Sequence, residues 1–173
     1  MIYAGPKNDV VIGDSGRDEI HGGAGTDNIL GDPGNDTIDG GEDGAAVYYS
    51  GSPGIWPGAT SSVTVDLSQG LATGDASVGT DTLHAIWGAT GSIYDDTLIG
   101  DSSSFNRLDG WDGNDTIWGG GSDVTIDQVI GGPGDDNLNV QDGGPDDYIG
   151  GLSGTDTCAY DEGDRPEDCE ITG

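Results

Sequence analysis

The chain has 173 residues, 33 Asp and Glu against 4 Lys and Arg, and a formal net charge of −29. Such a surface repels polyanions and carries no basic stripe, which excludes nucleic acid as a partner and argues against anionic membrane surfaces. No apolar run approaches the ~18 residues of a membrane span, and only 32 residues are Val, Ile, Leu or Phe, so composition alone reads as a disordered chain.

The kind of acid points elsewhere. Of the acidic residues 28 are Asp and 5 are Glu, and a merely solvated surface has no reason to avoid Glu. Asp is short, tolerates turns and turns its carboxylate toward nearby backbone. An Asp-rich set of turns is suited to ligating a hard cation.

Residues 1–47 are periodic. Asp9, Asp18, Asp27 and Asp36 stand nine apart, as do Val11, Ile20, Ile29, Ile38 and Val47. The copies read GDSGRDEIH from residue 13, GGAGTDNIL from 22 and GDPGNDTID from 31. Glycine early in each copy permits the positive φ that a reversing chain needs. The triplet that follows Asp is a minimal strand whose central residue faces opposite to its neighbours. Stacked copies thus predict an inward apolar stripe with one buried side chain per copy.

Residues 48–90 break the period. Ser50–Thr60 is a Gly/Pro-rich loop containing Trp56. Val63, Val65 and Leu67 then alternate with Thr64 and Asp66, which predicts a strand. Asp81, in GTDTLHAI, is a further candidate ligand for a cation. The period resumes over 91–159 with GSIYDDTLI, GWDGNDTIW, GGPGDDNLN and GLSGTDTCA, and looser copies surround Asn106, Asp127 and Asp147. Leu98, Leu108, Ile117, Val129, Leu138 and Ile149 take the inward role there.

Residues 160–173 form a tail. Cys158 and Cys169 lie eleven apart. A disulfide between them, favoured over two free thiols, would fold the tail over the open end as a cap and imply an oxidising compartment. The two histidines, His21 and His84, suggest no zinc cluster.

These copies resemble the haemolysin-type, or RTX, nonapeptide G-G-x-G-x-D-x-U-x of secreted bacterial proteins. The resemblance covers about 5–47 and 91–159. It implies an all-β parallel β-roll, a right-handed β-solenoid with calcium ions bound in the turns, and an interruption that continues the solenoid with longer strands. It also implies two nonapeptides per coil, so same-edge turns recur every eighteen residues. The neighbouring pairs are then Asp9/Asp27, Asp18/Asp36, Asp96/Asp115, Asn106/Asp127, Asp115/Asp136, Asp127/Asp147 and Asp136/Asp156. Turn carbonyls of Gly13, Gly22, Gly31, Gly110 and Gly131 complete the expected ligands, for about seven calcium ions that would roughly halve the charge.

Two carboxylates ~5 Å apart repel by roughly 3 kcal/mol at an effective dielectric near 20, and so thin a core cannot offset both that and the ordering of the backbone. Sites with a Kd of ~0.1 mM would each contribute ~1.4 kcal/mol at ~1 mM calcium. About seven would sum to ~10 kcal/mol, the stability of an ordinary domain. The expectation is a disordered metal-free chain that folds on binding calcium.

No catalytic activity is expected. The segment Gly13-Asp14-Ser15-Gly16 resembles a serine-protease nucleophile segment, yet only twelve residues precede it and none is a His partner. The favoured function is an extracellular scaffold or adhesion and ligand-binding module. The alternative is a non-catalytic C-terminal secretion or stabilising module of a larger secreted protease, lipase or polysaccharide epimerase. Outward Ile12, Leu30 and Tyr48, together with Thr97/Ile99, Thr116/Trp118 and nearby Trp111, offer faces for an extracellular protein or glycan, or for ice. The start MIYAGPKNDV lacks an apolar signal-peptide core, so the secreted, extracellular assignment rests on disulfide and calcium logic.

Overall fold

The computed structural model describes residues 1–51, 58–102, 105–121, 125–144 and 146–172. Trp56 lies outside the described residues. In the first array the strands are β1 (Ile2–Gly5), β2 (Val10–Ile12), β3 (Glu19–Gly23), β4 (Asp27–Leu30), β5 (Thr37–Asp39) and β6 (Ala45–Tyr48). The interruption contains β7 (Thr64–Asp66), β8 (Leu71–Thr73), β9 (Thr80–His84) and β10 (Ile86–Thr90). The second array runs through β11 (Thr97–Ile99), β12 (Arg107–Asp109), β13 (Thr116–Trp118), β14 (Gln128–Pro133), β15 (Asn137–Asn139), β16 (Tyr148–Ser153) and β17 (Thr157–Ala159). The tail adds β18 (Arg165–Glu167) and β19 (Ile171–Thr172). No helix occurs among the described residues, and none is long and apolar enough to cross a membrane.

Alternate strands go to opposite sheets, so the chain winds as a parallel β-solenoid. One sheet has 11 strands in the order β1-β3-β5-β9-β8-β7-β11-β13-β15-β17-β19, and the other has 8, ordered β18-β16-β14-β12-β10-β6-β4-β2. Because each strand triplet buries its centre, two inward stripes face each other. Ile20, Ile38 and Leu83 align on the first sheet, followed beyond the insertion by Val65, Leu98, Ile117, Leu138 and Cys158. Val11, Ile29, Val47, Ala89, Leu108, Val129 and Ile149 align on the second. All are buried. The turns between them bring coils close enough that glycine is required at specific points. Gly132 has φ +120°, and a Cβ there would strike the carbonyl of Trp111 in the coil below.

The interruption reverses direction, which the repeats never do. After β6 the chain passes up to β7, on which β11 later stacks, then descends through antiparallel β8 to β9, which pairs in parallel with β5. Next it crosses to β10, which fits between β6 and β12. The first sheet thereby carries two strands with no counterpart opposite. Tyr49, Ala59, Val63, Val65, Leu67, Ala72, Val78 and Leu83 join the continuous core here, which explains why this stretch is richer in apolar residues than the repeats.

At the far end the tail does more than cross the opening. It adds β18 beside β16 and β19 beside β17, and a disulfide joins buried Cys158 to Cys169. Outward residues line up as the register requires. Ile12, Leu30 and Tyr48 form one row, though Leu30 is buried, while Thr97/Ile99 stack on Thr116/Trp118. Ser15 is exposed in the turn after β2.

Candidate metal sites

The sixth residue of each repeat sits where a turn enters a strand, so its side chain points back across the turn rather than outward. Asp27, Asp36, Asp96, Asn106, Asp115, Asp127, Asp136, Asp147 and Asp156 are all at most 2 % exposed. Asp9 and Asp18 are half-buried.

Stacking puts one such residue directly over another, and the same hydrogen bond recurs in every pair. The backbone N–H of the lower residue donates to Oδ1 of the upper one: Asp9 to Asp27 at 2.9 Å, Asp18 to Asp36 at 2.8 Å, Asp96 to Asp115 at 2.8 Å and Asn106 to Asp127 at 2.8 Å. Asp115 to Asp136 (2.8 Å), Asp127 to Asp147 (2.7 Å) and Asp136 to Asp156 (2.9 Å) complete the series. All seven pairs expected from the eighteen-residue spacing are therefore brought together, on two edges of the solenoid.

That bond uses only one oxygen of each carboxylate. Oδ2 of Asp27, Asp115, Asp136, Asp147 and Asp156 is buried with no hydrogen-bond partner. Each such oxygen would ordinarily lose several kcal/mol of hydration. Their surroundings are also oxygen-rich. A Cβ on Gly22 would collide with Asp27 Oδ2 and with the carbonyl of Gly40. A Cβ on Gly110 would collide with Asp115 Oδ2 and approach the Gly131 carbonyl, and one on Gly91 would meet Asp96 and the Gly110 carbonyl. The missing side chain leaves a cradle between a carboxylate and the next coil's carbonyl. Among the expected carbonyl donors, Gly110 and Gly131 border such cradles. The Cα of Gly13 lies beside the Asp32 carboxylate, that of Gly31 against the ring of Tyr49, and that of Gly22 at the Asp27 cradle.

Burial without a counter-charge is felt as proton affinity. Burial pushes the Asp115 carboxyl up to about 8, with further elevation from Asp96 and Asp136, and raises those of Asp127 and Asp136 to about 6. The protein's own cations do not relieve this. Among the described residues the only Lys or Arg ion pair is Arg165 with Asp146, on the surface. Nor, among the described residues, do three acidic, imidazole or thiol side chains gather into a group able to hold a metal ion. An ion at any pair must draw on backbone carbonyls, which the cradles provide. Buried, unpartnered carboxylate oxygens beside backbone carbonyls fit a hard divalent cation.

Two pairs differ. Asp96 is saturated by protein donors: Val63 N–H to Oδ1 at 2.7 Å, the Ser92 hydroxyl to Oδ1 at 2.9 Å, and the Ser92 N–H to Oδ2. At Asn106 the side-chain Nδ2 donates to Asp127 Oδ1 at 3.2 Å and to the Asp101 carbonyl at 2.8 Å. An amide there does part of what a cation would do.

Several acidic groups take ladder places that the nonapeptide pattern does not mark. Asp81 Oδ1 accepts the Asp36 N–H at 3.0 Å, and its Oδ2 accepts the hydroxyl of fully buried Tyr49 at 3.0 Å. Asp164 Oδ1 accepts the Asp147 N–H at 3.2 Å, and Glu170 Oε2 that of Asp156 at 2.8 Å. Asp32, where the repeat has its second glycine, is 1 % exposed with neither oxygen hydrogen-bonded. Burial and neighbouring Asp36 push its carboxyl to about 7. The G-x-D of residues 79–81 was a usable signal for Asp81, whereas nothing local marks the others.

Residues 3–38, 21–43 and 90–126 match the family model described as the RTX calcium-binding nonapeptide repeat (4 copies). No curated protein matches the chain.

Proposed function

Since the chain is an RTX-type repeat protein whose repeats bind calcium, we propose that it is an extracellular module that folds on binding about seven calcium ions and then serves as a scaffold or adhesion surface. The observation that carries the calcium part is the recurring buried Oδ2, unpartnered in Asp27, Asp115, Asp136, Asp147 and Asp156, with a neighbouring-coil carbonyl beside several of the cradles. Bound calcium supplies two positive charges and accepts oxygen ligands in flexible number. The chain's own residues do the rest. Oδ1 fixes each carboxylate to the coil below, Oδ2 and the carbonyls present oxygens, and the glycines keep the space open.

The RTX β-roll is a structural calcium-binding module rather than a catalytic one. Extracellular placement is supported by the Cys158–Cys169 disulfide and by the millimolar calcium found outside cells, which suits sites of modest affinity. An adhesion role is supported by exposed apolar side chains on the edge that joins the second sheet to the first: Ile93, Tyr94, Trp111 and Leu152. The testing experiment is a calcium titration read by far-UV dichroism and native mass spectrometry. Folding and ion uptake should rise together, and a β-rich spectrum that persists in excess EGTA at about pH 8 would refute the proposal.

A further inference from the structure

The terminal coil carries no repeat consensus, and the family match ends at residue 126. It nevertheless reproduces the repeat's turn, atom for atom in the places that matter. Asp156 donates its N–H to Glu170 Oε2 at 2.8 Å, as Asp136 donates to Asp156 Oδ1. Asp156 Oδ2 is buried without a partner, and Asp156 itself is fully buried. A Cβ on Gly151 would collide with that Oδ2 and with the carbonyl of Asp168. The Gly110 cradle has the same form, with Asp115 Oδ2 on one side and the Gly131 carbonyl on the other. Asp168 stands in the left-handed region at φ +52°, a conformation that usually calls for glycine.

The disulfide lies directly beside Asp168. Cys169 lies between Asp168 and Glu170 and is tied to Cys158, two residues after Asp156. The cross-link therefore fixes both halves of the cradle to each other. Besides it, residues 160–172 are held by short strands at the end of each sheet and by side-chain hydrogen bonds such as those of Asp161 and Asp164 to the coil below.

We infer that Asp156, Glu170 and the Asp168 carbonyl form a calcium site outside the repeats, assembled by the Cys158–Cys169 disulfide. The inference rests on the calcium-dependent folding proposed above and adds an ion to it. Glu at the ladder position reaches one methylene further than Asp, which compensates for a turn that lacks the repeat's glycines. The disulfide closes a loop of 11 residues. By chain entropy, opening such a loop in a segment that orders on binding lowers the effective affinity by up to about 100-fold.

The experiment uses the full oxidised chain, calcium alone as ligand, ion counting by native mass spectrometry, and hydrogen exchange resolved to residues 157–172. Glu170→Gln keeps the size and the acceptor for Asp156 while removing the charge. It should bind one ion fewer than the unaltered chain, with calcium-dependent protection lost only in 157–172 and folding of the arrays unchanged. The double variant Cys158→Ala, Cys169→Ala should shift protection of 157–172 to roughly 10- to 100-fold higher calcium. An unchanged ion count and unchanged protection in Glu170→Gln overturn the site while leaving the array sites standing. Failure of the unaltered chain to bind calcium at all overturns both.

Discussion

Asp115 belongs to two candidate sites, so its replacement by Asn separates the two roles of a ladder carboxylate. Oδ1 accepts the Asp96 N–H at 2.8 Å, and Asn retains an oxygen for that bond. Oδ2 is buried without a partner, and Asn puts an NH₂ there, facing the cradle that the Gly131 carbonyl borders. Without calcium and above about pH 8, where the Asp115 carboxyl is ionised, the variant removes like-charge repulsion with Asp96 and Asp136, each ~3 kcal/mol for carboxylates one strand spacing apart at an effective dielectric near 20. With calcium it disables two sites worth ~1.4 kcal/mol each at a tenfold excess over Kd, a loss of about 3 kcal/mol. Asp115→Asn should thus fold at higher calcium, bind two ions fewer, and be no less structured than the parent in EGTA. Dichroism against free calcium, with ion counting at saturation, reads all three. Asp95→Asn makes the same charge change on an exposed residue whose one hydrogen bond among the described residues is from the Asn114 N–H, and it should move the midpoint little. Equal shifts in the two variants would mean that net charge, not site chemistry, governs folding.

The buried carboxyls also predict a pH response in the absence of metal. Those of Asp115 (about 8), Asp32 (about 7) and Asp81, Asp127 and Asp136 (about 6) lie above their unfolded values, so their contribution to stability is full below about pH 4 and is lost as pH rises through 6 to 8. In EGTA the chain should therefore gain β-structure on acidification from pH 8 to 4.5, and a loss over that interval would contradict the burial. Ile117→Ala empties a fully buried position in the inward stripe and should destabilise the folded state by ~2–4 kcal/mol, read as a higher calcium midpoint with the ion count unchanged. Gly132→Ala adds a Cβ at φ +120° against the Trp111 carbonyl, whereas a Cβ on Gly121 meets nothing. The first should cost at least ~1 kcal/mol and the second should fall within error of the parent in the same titration.

Much of this was legible because the repeat couples two periods in one string. Nine residues separate successive inward side chains, and eighteen separate stacked carboxylates, so Ile20 over Ile38 and Asp18 over Asp36 follow from counting alone. Counting fails where the chain stops repeating. Val63, Val65 and Leu67 announced β7, but its alternation says nothing about which strand it will join, and the reversal through β8 is decided by tertiary packing around Tyr49 and Val78. The same reversal returns β9 to β5, which sets His84 beside Asp39 and Asp39 beside His21 in one outer row although the histidines are far apart in sequence. Asp164 and Glu170 escaped notice because their places are set by strand pairing of the tail, not by a motif. Ser92 stands where the repeat has its second glycine, and its hydroxyl and N–H both occupy Asp96.

The ladder's breaks predict how calcium fills it. Inside each array one carboxylate serves the coil below and, through its backbone N–H, the coil above, so neighbouring sites should fill cooperatively in the manner of a one-dimensional array. Neither edge is continuous across the interruption. One edge runs Asp18, Asp36, Asp81 and resumes at Asp96, whose carboxylate meets Val63 rather than an acidic residue. The other runs Asp9 to Asp27 and then meets Ala45, which has no carboxylate to offer. Between them lies a meander held by Val63, Val65, Leu67, Ala72 and Leu83, apolar packing that is independent of any ion. Calcium bound in one array can then reach the other only through this packing and through β10, which pairs with β6 on one side and β12 on the other. Hydrogen exchange across a calcium titration should show 1–47 and 91–159 gaining protection at separate midpoints, with the second array, which holds five of the seven pairs, rising more steeply. A single shared midpoint would mean that the meander transmits folding between the arrays as effectively as a shared carboxylate does.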